Sequence, residues 1–185
     1  MGVSAVAHER ILDAVQAVLE EKTFQDLTME EVARRAGVGK PTLYKWWPSK
    51  IALVLDLFQE RLVASLAVPE HLTTDEKIRA QVLELIRLLG GFYGKIAREI
   101  IAEGQSDDNV LRQYREIYMS KRRAYTLNWL EAAKASGEIR EDVDPEVLID
   151  MIYGPIYYRL LMGHQPLTAE FGSKIVDDVL ALARP

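Results

Sequence analysis

Residues Thr28 to Lys50, TMEEVARRAGVGKPTLYKWWPSK, decide the fold. Thr28 and Glu31 have the spacing of a capping box. The threonine hydroxyl accepts from the Glu31 amide while the glutamate reaches back to the Thr28 amide. Leu27 and Val32 flank that cap as a hydrophobic staple. Met29, Val32, Ala33 and Ala36 repeat at helical spacing and form one narrow apolar stripe. Gly37 ends the helix, because the cap needs a left-handed backbone that glycine adopts without strain. Val38 follows as an apolar plug. Pro41 falls in the first turn of a second helix, where its missing N–H is not needed. Two short helices about a glycine-containing turn form a helix-turn-helix, whose second helix enters a DNA major groove.

Charge points the same way. The chain is acidic, with a formal net charge of −5, yet from Val32 to Leu55 it has no Asp or Glu and carries Arg34, Arg35, Lys40, Lys45 and Lys50. A basic run alone can be a solvated face. On a capped helix-turn-helix it favours a surface that meets phosphates.

Composition excludes several other classes. A chain of 185 residues with 49% apolar content is long and greasy enough for one large or two small folded domains. The absence of Cys excludes disulfides, thiolate zinc sites and a thiol nucleophile. His8, His71 and His164 have no metal-ligand spacing, so neither metal nor cofactor is expected. No apolar run reaches the roughly 18 residues that span a bilayer, and the first residues lack a signal-peptide pattern. The expected location is the cytoplasm.

Outward from the motif, only helices are predicted. Ser4 to Glu21 carries Ala7, Ile11, Ala14, Val15, Val18 and Leu19 on one face. Ser49 caps a connector that runs to about Leu66 and is apolar nearly all round in its first half, so it is buried on several sides. Such a helix is either a lever between domains or simply a core helix. Pro69 to Thr74 reads as a linker, Thr73 and Glu76 as a second capping box, and the helix they open runs to Leu89. Gly90, Gly91 and Gly94 interrupt the pattern before a helix over Tyr93 to Glu103 and a loop over Gly104 to Asp108. Val110 to Ser136 reads as a long helix with Tyr114, Ile117, Tyr118, Tyr125 and Trp129 inward, stopped by Gly137 and Ile139 in a Schellman motif. Asp144 and Pro145 start the next helix, which Pro155 should bend. Thr168 caps the last. The predicted class is all-α with about nine helices. A DNA-binding domain spans 1–48, a connector 49–66, and a helical effector-binding and dimerisation domain 67–185.

The run LTMEEVARRAGVGKPTLYKWWPSKIALV resembles the tetracycline-repressor (TetR) family of bacterial transcriptional regulators. It follows the family order of Thr, Ile or Val, Ala, Ala-Gly, an aliphatic residue before Tyr, and a late Lys. Trp47 stands where Phe is commoner and Trp46 where His or Tyr is usual. DVDPEVLIDMIYGPIYYRLLMGHQPLT is similar to the family's regulatory domain. The resemblance implies a homodimer on a palindromic operator in double-stranded DNA, commonly a repressor, and a small-molecule effector.

In that setting Lys40, Thr42 and Trp46 are expected to face base edges, with Pro41 beside them. Tyr44, Lys45, Lys50 and Thr28 are expected at phosphates, while Leu43 and Trp47 turn inward. The expected effector pocket draws on Phe92, Tyr93, Tyr114, Tyr118, Trp129, Met151, Tyr153 and Tyr158, which points to a small apolar or aromatic ligand. The expected dimer interface draws on Ile156, Leu160, Phe171, Ile175, Val179 and Leu182. Both groups could instead be ordinary core. Two rival readings remain: a regulator without a small-molecule effector, and an enzyme. The enzyme has only an acidic patch of Glu99, Glu103 and Asp107 in its favour.

Overall fold

The computed structural model describes residues 5–185, and among them only helices and their connections occur. Ser4, the expected head of the first helix, lies outside the described residues. They group into two compact units, one of residues 5–62 and 95–118, the other of 63–94 and 119–185. The grouping does not follow the expected boundaries at 48 and 66, because residues 95–118 pack with the N-terminal head.

In the first unit, α1 (Ala5–Glu21) buries Ile11, Leu12, Ala14, Val15, Val18 and Leu19 behind α2 (Met29–Ala36) and α3 (Lys40–Trp46). The Thr28 side chain accepts from the Glu31 amide as expected. The reciprocal half of the box does not form, because the Glu31 carboxylate is taken by Lys22 and Arg35. Gly37 takes the left-handed conformation, φ 63°, that stops α2. Helix α4 (Lys50–Leu57), capped by Ser49, is buried on most sides and continues into a wide π turn at Phe58–Val63, where the first unit ends; a 3-10 turn at Ala64–Leu66 belongs to the second. The rest of this unit comes from most of α6 (Phe92–Glu103), α7 (Asp108–Gln113) and a second π turn that begins at Tyr114. The expected break falls at Gly90 and Gly91, between α5 and α6, and Gly94 lies inside α6 with its Cα against the Leu89 carbonyl, where a Cβ would sit 1.8 Å from the oxygen.

The second unit holds α5 (Thr74–Leu89), α8 (Ser120–Ser136), α9 (Pro145–Met162) and α10 (Ala169–Ala183). The Thr73 and Glu76 capping box forms in full. Glu138 and Gly137 donate to the Ala133 and Lys134 carbonyls, which is the predicted Schellman stop. Asp144 and Thr168 cap α9 and α10.

The inward face of α8 differs from the expected one. Arg122, Thr126 and Leu130 are buried, and Tyr125 is 53% exposed. The cause is the π turn over Tyr114–Met119. An i→i+5 bond holds one residue more than the α-helical i→i+4 bond, so the face that begins with buried Tyr114 and Tyr118 continues at Arg122 and Thr126 instead of Tyr125 and Trp129.

Candidate nucleic-acid interface

Helix α3 is short, and its two sides differ sharply. Leu43 is fully buried and Trp47, which ends the helix, is 6% exposed. Lys40, Pro41, Thr42, Tyr44, Lys45 and Trp46 are all exposed. Large aromatic residues left in water need a reason, and Tyr44 and Trp46 are 46% and 40% exposed.

Trp47 is more than an apolar plug. Its ring stacks on His8 at 5.5 Å and its Nε1–H donates to Asp56 Oδ2 at 2.9 Å, an oxygen that His8 Nε2 also meets at 2.7 Å. One carboxylate of α4 thereby ties the end of α3 to α1.

The basic residues divide into two groups. Arg35 holds Glu21 with two parallel bonds, Nη1 at 2.8 Å and Nη2 at 2.5 Å, and also reaches Glu31 at 2.8 Å. Lys22 and then Arg35 hold the Glu31 carboxyl below the usual carboxylate range, and Arg35 does the same to Glu21. Arg10 Nη2 donates to the Ala36 carbonyl at 2.5 Å and closes the C-terminus of α2. Lys50 was expected at phosphates. Its Nζ instead donates to the carbonyls of Phe24 at 3.2 Å and Gln25 at 3.1 Å, lies 3.5 Å from Glu103, and stacks on the Phe24 ring. A lysine holding two carbonyls has little left for a phosphate. Lys40 lies 3.1 Å from Glu30 but stays exposed. Lys45 makes no ion pair among the described residues and extends over the Trp46 ring at 5.6 Å.

Helix α6 grips this head through residues spaced four apart. Lys95 Nζ donates to the Leu19 and Lys22 carbonyls at 2.9 and 3.0 Å, closing the end of α1, whose own last turn has no cation. Glu99 accepts from the Phe24 amide at 2.7 Å, and Glu103 faces Lys50. Asp107 caps α7 through the Asn109 amide. The acidic patch that favoured an enzyme is thus engaged in local structure. No group of residues able to hold a metal occurs among the described residues.

The eight expected pocket residues are divided between the two units. Tyr114 and Tyr118 are buried in the first unit, 5.0 Å apart with Phe58 edge-on to Tyr118 at 5.3 Å. Tyr153 is buried in the second unit. Phe92, Tyr93 and Trp129 are half-buried, and Met151 and Tyr158 face outward at 38% and 61% exposure. Of the expected interface residues, Ile156, Leu160, Ile175 and Val179 are buried within the chain. The reason is α5: Gly172 of α10 lies so close to it that a Cβ would meet Ile86 Cδ1 at 2.5 Å. Phe171 is half-buried beneath Arg159 at 3.4 Å, and Leu182 remains 61% exposed. The second unit also buries a polar group of Gln81, Arg122 and Thr126. Of the three only Arg122 stood out in the sequence, as one of the few charges among the expected pocket residues.

A capped helix-turn-helix with an exposed basic and aromatic second helix, joined to a larger helical domain, defines a DNA-binding transcriptional regulator. Residues 11–57 match the bacterial regulatory proteins of the tetR family, and residues 68–179 match the tetracyclin repressor-like C-terminal domain. The chain belongs to the TetR family. It is 39% identical to an uncharacterised helix-turn-helix regulator, YdeS, of Bacillus subtilis over 84% of this chain and 78% of that one. Among solved structures it is similar to the TetR family transcription regulator SCO0332, with a TM-score of 0.82 and 36% identity over 97% and 99% of the two chains. It shares its fold with the regulator FadR of Bacillus subtilis, solved with stearoyl-CoA, with a TM-score of 0.74 and 21% identity over 94% and 97%.

Proposed function

We propose that the chain works as a homodimer on a palindromic operator and represses transcription until a small-molecule effector releases it. The observation that carries the DNA-binding half is the division of α3, with Leu43 and Trp47 buried and Lys40, Thr42, Tyr44, Lys45 and Trp46 presented to solvent. Lys40, Thr42 and Trp46 meet base edges, with Pro41 alongside. Tyr44, Lys45 and Thr28 meet phosphates. A single helix of this kind reads one half-site, and a two-fold pair reads two sites roughly 34–36 Å apart.

Support for the pair comes from the outer side of α9. Val147, Met151, Tyr158, Leu161 and Met162 repeat along one helical face and are all exposed, as is Leu182 on α10. Single exposed apolar residues are ordinary, but a continuous stripe fits a partner surface. Effector control is supported by the FadR structure, which holds stearoyl-CoA in a protein of the same fold. An effector that prefers one dimer geometry would draw the two α3 helices out of register with successive grooves. Work on an operator places the protein in the bacterial cytoplasm.

The test is selection of bound duplexes from a random DNA library at moderate salt, with the dimer confirmed by light scattering. An inverted repeat among the selected duplexes is the expected result. A bound sequence without two-fold symmetry would overturn the dimeric reading.

A further inference from the structure

The core of the second unit contains a polar cluster that packing does not require. Gln81 of α5 and Thr126 of α8 are fully buried, Arg122 of α8 is 1% exposed, and Tyr153 of α9 is 3% exposed. Thr126 Oγ1 donates to Gln81 Oε1 at 2.8 Å and lies 2.9 Å from the Tyr153 hydroxyl, which also donates to Gln81 Oε1. Two hydroxyl donors on one oxygen fix that end of the amide as the acceptor. The other end, Gln81 Nε2, is buried without a hydrogen-bond partner. The Arg122 guanidinium lies 4.0 Å from the centre of the Tyr153 ring and 5.7 Å from that of Tyr157.

Each of these features is costly in an apolar core. Buried polar groups are almost always bonded, and a buried guanidinium carries a large desolvation penalty. Leu or Met in these places would pack more favourably. The π turn of Tyr114–Met119 is what carries Arg122 and Thr126 inward, and such turns often mark functional sites.

We propose that Arg122 and Gln81, backed by Thr126 and Tyr153, form the head-group end of the effector site, and that the effector is a carboxylic acid with an apolar body. This deepens, and rests on, the effector-controlled function above. The cluster holds one buried donor without a partner, Gln81 Nε2–H₂, beside the positive charge of Arg122, and together they suit a carboxylate. Burial raises the Tyr153 phenol from its ordinary value and favours the neutral donor, with Arg122 opposing. The same helices also bury Ile78, Val82, Leu85, Leu130, Ile152 and Ile156, side chains that suit a hydrocarbon or aromatic body. Entry requires α8 or α9 to yield. Each has a place where the i→i+4 ladder is interrupted, the π turn ahead of Ser120 and Pro155.

The test uses the full chain and follows melting temperature and calorimetric affinity with straight-chain carboxylates from butyrate to palmitate, and with benzoate. These arms distinguish an aliphatic from an aromatic acid. The best acid is then compared with its methyl ester and its alcohol. The acid should raise the melting temperature and bind about tenfold or more tightly than either neutral analogue. Arg122→Met and Gln81→Leu should each lose about tenfold for the acid and leave the alcohol unchanged. The inference fails if the alcohol binds as well as the acid, if Arg122→Met binds the acid like the parent, or if no carboxylate binds. The analogue comparison needs no variant, so a misfolded variant does not blunt it. Binding of the unliganded chain to its selected DNA is measured separately. A chain that binds an inverted repeat but no acid sinks only this inference, and one that binds acid but no repeat sinks the regulator.

Discussion

The indole of Trp47 contributes through one bond that phenylalanine, the commoner residue in the resembling family pattern, cannot make. Trp47 Nε1–H donates to Asp56 Oδ2 at 2.9 Å, and the side chain of Asp56 is 28% exposed. A hydrogen bond to a charged group is worth about 1.5–3 kcal/mol, and partial exposure brings this one to about 1 kcal/mol. Trp47→Phe keeps an aromatic plug against His8 and should cost about 1–2 kcal/mol, lowering the melting temperature by roughly 2–4 °C per kcal/mol for a chain of this size. Trp47→Ala also empties the site and should cost about 3–5 kcal/mol. The bond is isolated by a double-mutant cycle of Trp47→Phe with Asp56→Ala in urea unfolding, where a coupling of about 1 kcal/mol is expected. A coupling within the additivity error of about 0.3 kcal/mol would show that the indole N–H is idle. Equal losses for Phe and Ala would refute the plug itself.

The two lysines expected at phosphates should behave differently. Lys45→Ala should reduce the slope of log affinity against log salt by about 1 on any duplex. Lys50→Ala should leave that slope unchanged and lower stability by about 1 kcal/mol, because it releases the Phe24 and Gln25 carbonyls. Glu31 and Glu21 are held below their ordinary value of 4.5 in the folded chain, so the stability they contribute is present above 4.5 and lost as pH falls through their folded values. The urea midpoint should therefore drop on acidification from 4.5 downward, and Glu31→Gln should drop less across that range. An equal drop in the variant would assign the acid sensitivity elsewhere.

The helix-turn-helix was legible because its signals are local. Thr28, Gly37, Pro41 and Ser49 each act on backbone within a turn of themselves, and all behave as their types dictate. Lys50 was misread for the opposite reason. Nothing near it in sequence shows that a carbonyl 25 residues away will claim it. The inner face of α8 was misassigned because an α-helical period was carried through a stretch that winds more widely. For α9 and α10, the apolar faces were legible but their partner was not. Gly172 reads as a weak helix residue until α5 is seen lying against it.

The grip of α6 on the head has a mechanical consequence. Lys95, Glu99 and Glu103 meet, in turn, a pair of carbonyls, an amide and an ammonium. Sliding α6 by one turn, about 5.4 Å, would bring the Glu99 carboxylate to the carbonyls of Leu19 and Lys22, acceptor against acceptor. The helix is keyed like a shaft in a slot. A push along its axis cannot be lost by slippage and must move α1 and the turn after it as one piece.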